Sequence, residues 1–228
     1  LLAPGTYQHS LLVAHLAETA CKEIGANSLL ARVGALYHDI GKLTSPKYFA
    51  ENMAAYQNSI HEEISPQLSA KILKGHILEG IKMGKEIGLP NEVLNFIPEH
   101  HGTAVIEFFY SKAKELQNEK SVDIDEPVFR YGGPNPQSKE TAIVMLADGI
   151  EAGVRSLKVK RHDLIEEKIA QLIFKHVSQE ALSESPLTLK ELKKVQEVFT
   201  EQMLAYYHVR PLYPADKEKE EENKSHDM

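Results

Sequence analysis

Cysteine is almost missing from this chain. Cys21 is the single one among 228 residues, so no internal disulfide can form, which fits a reducing compartment. It falls beside Ala17 and Ala20 on a helical stretch and reads as a small core residue. An excess of positive charge is missing too. The formal charge is −7, which argues against a coat for DNA or RNA polymers built on phosphate neutralisation and leaves a local basic pocket for a small anion open. No apolar run approaches the ~20 residues that span a bilayer, and no signal-peptide pattern opens the chain. The first residue is Leu, so the chain is expected to be a piece of something longer. Strand alternation is unconvincing, apart from a short extended stretch suggested for Val128 to Tyr131, and there is no internal repeat.

Helical spacing is what the sequence has instead. Hydrophobic residues make up 42%, enough for the core of one large domain, expected over residues 1–214. The run Glu218-Lys219-Glu220-Glu221-Glu222 marks residues 215–228 as a solvated, disordered acidic tail. A first helix is expected from about Thr6 to Ile24, with Gly25 as its stop. Leu12, Val13, Leu16 and Ala20 form its buried face. His9 shares that face, whereas His15 sides with Glu18, Thr19 and Lys22. Asn27 caps a second helix that reaches about His38, with small Ala31, Gly34 and Ala35 on the His38 side and Gly41 as the breaker. Ser65-Pro66 starts a helix that meets Gly75-His76, and another segment follows to about Ile87. Further helices are expected from Pro90 to His100, from Thr103 to about Leu116 and from Glu140 to Leu157. Asp163 with Glu166, and Thr188 with Glu191, read as capping boxes of the last two. Between Lys120 and Ser138 lies an irregular segment of a length that is usually functional or disordered.

Three His-Asp pairs occur. His162-Asp163 reads as a helix cap and His226-Asp227 falls in the tail. His38-Asp39 differs by its company: His9 upstream, then His76, the pair His100-His101 and Asp148, each in a helix or at a helix end. Nitrogen and carboxylate donors in this mix suit divalent cations. Asp39 stands between two groups of histidines in the sequence, and its two oxygens can bridge two ions. One partition gives His9, His38, Asp39 and Asp148 to one metal, and Asp39, His76, His100 and His101 to the other. Two such ions about 3.5–4 Å apart share a hydroxide and clamp a phosphoryl group. Lys42, one turn beyond Asp39, is placed to stabilise charge on the phosphoryl oxygens.

On the residues alone, blander roles stay open. His9 suits a hydrogen-bonded core position. Asp148, among Val144, Leu146 and Ala147, needs either a metal or an ion pair with Arg155. His61 rivals His76 as ligand. His100-His101 suits a plain helix C-terminus, although Gly102 lets both rings turn inward. Arg130 and Tyr131 either meet phosphate and base or anchor the long loop. His15, His176 and His208 read as surface or helix-end residues.

The order His9, His38-Asp39, Asp148 resembles the HD-domain superfamily of metal-dependent phosphohydrolases. The added His76 and His100-His101 resemble its two-metal branch, which includes the HD-GYP cyclic-dinucleotide phosphodiesterases. The GYP signature is absent, since Gly102-Thr103-Ala104 follows His100-His101. That string, with Phe109-Tyr110, Arg130-Tyr131-Gly132-Gly133-Pro134, Lys139-Glu140, Leu146-Ala147-Asp148, Glu151-Ala152 and Arg155, is similar to the cytoplasmic domain of seven-transmembrane HD proteins. The likeness covers roughly Gly5 to Pro214. It implies an all-α HD-domain helical bundle with a binuclear metal site. It implies two divalent ions, iron or manganese, although ligand chemistry also permits zinc, cobalt or nickel. It favours His76 over His61 as ligand and leaves His61 as an outer contact or substrate residue. The implied reaction is hydrolysis of cyclic di-AMP to pApA through a metal-bridging hydroxide, in a cytoplasmic domain tethered at the cell membrane. Two readings compete. One is hydrolysis of (p)ppGpp or another nucleotide by a plain HD site, which needs only His9, His38, Asp39 and Asp148. The other is a non-catalytic nucleotide-binding regulatory domain, which a complete ligand set disfavours.

Overall fold

Nine α-helices carry the described part of the chain, which in this computed structural model comprises residues 2–53, 59–120 and 124–209. The tail expected at 215–228, with its His226-Asp227 pair, lies outside the described residues, as do Pro211 and Pro214. In chain order the helices are α1 (Pro4–Glu23), α2 (Ser28–Tyr37), α3 (Pro66–Glu86), α4 (Asn91–Leu94), α5 (Phe96–Glu99), α6 (Glu107–Lys120), α7 (Lys139–Arg155), α8 (His162–Ser178) and α9 (Leu189–Tyr206). Short 3₁₀ turns occur among the described residues between α2 and α3, among them Ile40–Thr44 and Ile60–Glu62. Among the described residues the only β pairing is one isolated bridge, Val105 to Arg130.

Helix α1 lies at the centre, against α2, α7 and α9. Its Leu16 and Ala17 meet Ile143 and Leu146 of α7, Ile165 and Ile169 of α8 and Phe199 of α9 in one apolar cluster. Side chains such as Leu16, Ile143 and Phe199 are wholly buried, and each contributes roughly 1.5–3 kcal/mol of transfer free energy. A smaller cluster of Ala70, Phe109, Ala113 and Phe129 fastens α6 to α3. Several capping signals work as read. Asn27 accepts from the Leu30 amide, Ser65 from Leu68, and Thr188 with Glu191 forms a full capping box.

Five readings need correction. Gly41 does not stop the chain from coiling, because a 3₁₀ turn runs straight through it. It is needed for close approach instead: a Cβ there would lie 1.9 Å from the His76 carbonyl oxygen. Gly75-His76 is no junction, since α3 is continuous from Pro66 to Glu86. The helix from Pro90 divides into the single turns α4 and α5, where Pro98 cannot donate to the Leu94 carbonyl. Thr103 does not open α6, which begins at Glu107. The intervening residues pair with the irregular segment, Tyr131 N–H donating to Ala104 O at 2.9 Å and Ile106 N–H to Phe129 O at 2.8 Å. Lastly, the N-cap of α8 is Arg161, and Asp163 sits in the first turn paired with it.

Candidate metal centre

Five separate segments deliver the clustered side chains. His9 comes from α1, one turn before its core residues. His38 is the C-cap of α2, so Asp39 follows where the chain leaves the helix. His76 projects from the middle of α3, His100 caps α5 with His101 next, and Asp148 comes from α7. The glycines described above make this convergence feasible. Gly41 seats the Asp39 turn on the backbone of α3, and Gly34 lies under the Phe96 ring, where a Cβ would approach to 2.4 Å.

Asp39 is 1% exposed; its Oδ2 is ion-paired with the Lys42 ammonium at 2.7 Å, while Oδ1 has no hydrogen-bond partner among the described residues. A buried carboxylate left that way is costly. Its surroundings explain the position. Oδ2 lies 3.3 Å from His38 Nε2 and 3.7 Å from His9 Nε2. Oδ1 lies 3.4 Å from His76 Nε2 and 3.6 Å from His100 Nε2. Each oxygen thus faces its own pair of histidines. Asp148 spans the same gap, with Oδ1 3.0 Å from His9 Nε2 and Oδ2 3.8 Å from His101 Nδ1. Two triplets, His9-His38-Asp39 and His76-His100-His101, have their donor atoms within 4.8 Å of one another.

The tautomers follow from the other ring nitrogens. His38 Nδ1 donates to Ala35 O at 2.6 Å, His76 Nδ1 to Leu73 O at 2.5 Å and His100 Nδ1 to Ile97 O at 2.8 Å. Carbonyls only accept, so the His76 and His100 rings, which burial holds below the ordinary imidazole range, present a bare Nε2 to the cluster. The Nε2 atoms of His76 and His100 stand 3.4 Å apart. Two lone pairs facing each other at that distance call for a cation between them, and the donor set fits divalent transition metals.

The electrostatics prepare these groups. Burial, with His101 and His38 nearby, holds His100 well below the ordinary imidazole range. Burial likewise lowers His76 and takes His101 down to about 3. His9 goes the other way. Burial opposes its protonation, but the hydrogen-bonded carboxylates of Asp148 and Glu151 outweigh it and raise the ring to about 10. Burial would raise Asp39, yet His38 and Lys42 hold it well below the carboxylate range. Lys42 Nζ lies 2.7 Å from Asp39 Oδ2 and 3.0 Å from Glu51 Oε1, and these carboxylates keep it charged against burial.

The cluster floors a cavity of about 500 Å³. His9, His76, His101, Asp148 and Lys42 line its base, while Tyr48, Phe49, Phe108, Phe109 and Tyr131 line its walls. Tyr131 stacks on His101, with centroids 4.2 Å apart. His61 is also in the wall, but Nε2 donates to Tyr48 O at 2.8 Å and the ring joins neither triplet. Asp148 makes no pair with Arg155, which binds Glu151 instead. Of the two roles left open for Arg130, phosphate contact and loop anchor, its contacts fit the second. It lines no part of this cavity; it donates to Thr103 O at 2.7 Å and pairs with Glu126, as a loop anchor does. His15 is exposed and His176 half-buried in the last turn of α8. Sequence reading missed Glu51 and Glu151, which hold Lys42 and His9 respectively. The spacing Asp148-Glu151-Arg155 along one helical face was the available signal for the second.

The HD domain family model matches residues 6–153. The chain is 44% identical, over 92% of its length, to the cyclic-di-AMP phosphodiesterase PgpH of Bacillus subtilis (strain 168). It is 40% identical, over 95% of its length, to the protein of the same name from Listeria monocytogenes serotype 1/2a (strain 10403S). It spans 29% of the length of each of these relatives. The crystal structure of the L. monocytogenes PgpH HD domain in complex with cyclic-di-AMP superposes with a TM-score of 0.85 at 39% identity, covering 92% of this chain and 95% of that one.

Proposed function

We propose, from the premise that this chain belongs to the HD domain family, that it hydrolyses a 3′–5′ phosphodiester of cyclic di-AMP and yields pApA. The carrying observation is Asp39, buried, with each oxygen turned to a separate pair of histidines. His9, His38, Asp39 and Asp148 would hold one divalent cation, and Asp39, His76, His100 and His101 a second, with iron or manganese the ions proposed. When bound, such a pair supplies Lewis acidity to a phosphoryl group and lowers the pKa of a water molecule.

The chain's own groups do the rest. The neutral rings of His76, His100 and His101 offer lone pairs without first losing a proton. Lys42 balances Asp39 and Glu51 at the cavity base. Once a cation satisfies Asp39, its ammonium is available to phosphoryl oxygens. Tyr48, Phe49, Phe108 and Tyr131 offer ring faces to the bases of a dinucleotide. The named ligand of the similar L. monocytogenes domain supports the choice of substrate. No described helix is long and apolar enough to cross a membrane. A membrane tether elsewhere in a longer protein, holding this domain on the cytoplasmic side, is part of the proposal.

The test is incubation of the manganese-loaded protein with cyclic di-AMP, other cyclic dinucleotides and (p)ppGpp, with products resolved by chromatography. The expected result is pApA from cyclic di-AMP as the fastest conversion. Preferred conversion of (p)ppGpp, or binding without any conversion, would replace this reading by one of its two rivals.

A further inference from the structure

We propose that Glu151 is the positioning residue for His9, and that it governs the cation position at His9 without governing the one at His76. This rests on the binuclear reading above. Three histidines of the cluster are oriented by their own helices. His38, His76 and His100 each donate Nδ1–H to the carbonyl of the residue three positions earlier. His9 has a different arrangement. Its Nδ1 donates to Glu151 Oε2 at 2.6 Å, across 142 residues of sequence and between α1 and α7. That bond leaves Nε2 directed at the cluster, buried and 3.0 Å from Asp148 Oδ1.

Glu151 is itself held. It is 4% exposed, and Arg155 Nη1 donates to its Oε1 at 3.0 Å and lies 2.9 Å from its Oε2. Asp148 and Glu151 stand three residues apart on one face of α7. The same helix therefore supplies a carboxylate beside His9 Nε2 and the carboxylate that fixes His9 Nδ1. A hydrogen-bond acceptor behind a metal-binding imidazole fixes its tautomer and orientation, and loss of such a partner costs about 10–100-fold in metal affinity. Because the rings of His38, His76 and His100 lean on backbone carbonyls, a change at Glu151 should leave them in place.

The experiment is manganese titration of the folded protein, read by elemental analysis and by electron paramagnetic resonance of the free ion. Wild type is compared with Glu151→Ala, Glu151→Gln, His76→Ala and the double variant His76→Ala/Glu151→Ala. Glu151→Ala should keep one ion at wild-type affinity and bind the other about 10–100-fold more weakly. Glu151→Gln retains an acceptor oxygen and should stay close to wild type. The double variant should lose the ion that His76→Ala still holds. If circular dichroism shows Glu151→Ala unfolded, Glu151→Met, of matching length but with only a weak thioether acceptor, takes its place with the same outcomes. Two ions bound to the substituted protein as tightly as to wild type overturn the inference, and so does an equal weakening of both. Wild type holding fewer than two ions overturns the binuclear reading as well, so the two failures are distinguishable.

Discussion

Replacing Gly41 by Ala should damage the candidate centre without touching any of its donor atoms. The added methyl would meet three backbone atoms of α3: His76 O at 1.9 Å, Gly80 N at 2.5 Å and His76 C at 2.8 Å. Ordinary van der Waals contact begins at 3.4 Å, so the first of these is short by about 1.5 Å. None of the three is the end of a flexible side chain, so relief must come from moving the 40–44 turn away from α3. That turn begins directly after Asp39 and carries Lys42. Misplacing a reacting group by about 1 Å costs on the order of 10²-fold in rate, and overpacking costs about 1–3 kcal/mol in stability. We expect Gly41→Ala to lose at least 10²-fold in turnover, to bind manganese more weakly and to melt earlier. Turnover, metal titration and thermal denaturation by circular dichroism measure these effects. Were Gly41 only a helix breaker, alanine would be tolerated or would stabilise by about 1 kcal/mol through its better helix propensity. A variant with wild-type melting and metal content would refute the close-approach argument.

Asp39→Ala should abolish both metal loading and turnover while far-ultraviolet circular dichroism stays near wild type; a variant that still binds two ions would rule out the bridge. Metal affinity should rise with pH between 6.5 and 8.5, because an ion at His9 must displace a proton held with a pKa of about 10; a flat profile would show that His9 is not protonated in the metal-free protein. By the same shift, the stability that the His9 pairs give the metal-free fold is fully present below about 6.5 and is lost as pH rises through about 10. Arg130→Ala should lower stability by about 1 kcal/mol, through the lost bond to Thr103, and leave KM unchanged; a several-fold rise in KM would return Arg130 to the substrate site.

Much of the centre was legible because its residues obey local rules. His9 could be separated from His15 by helical phase alone, and the structure buries the first and exposes the second. The termini of α2, α3 and α9 carry side-chain caps that need only three residues of context. What escaped depended on partners far along the chain. Arg130 reads equally as a phosphate contact or a loop anchor, and only the fold brings Thr103 and Glu126 to its guanidinium. His61 and His76 are equivalent as residue types, and only the direction of α3 gives His76 a place beside His100. Glu151 looks like a surface residue paired one turn on with Arg155, until α1 brings His9 to it.

The sequence by itself determined the helical periods, most caps and the inventory of nitrogen and oxygen donors, since these depend on neighbours within one or two turns. It also named Asp39 as the residue between two histidine groups. Only the tertiary structure decided which oxygen faces which group, why Gly41 cannot be larger and which acceptor fixes His9. Those are distances between segments separated by tens of residues, and they are set by how α1, α3, α5 and α7 pack rather than by any local preference.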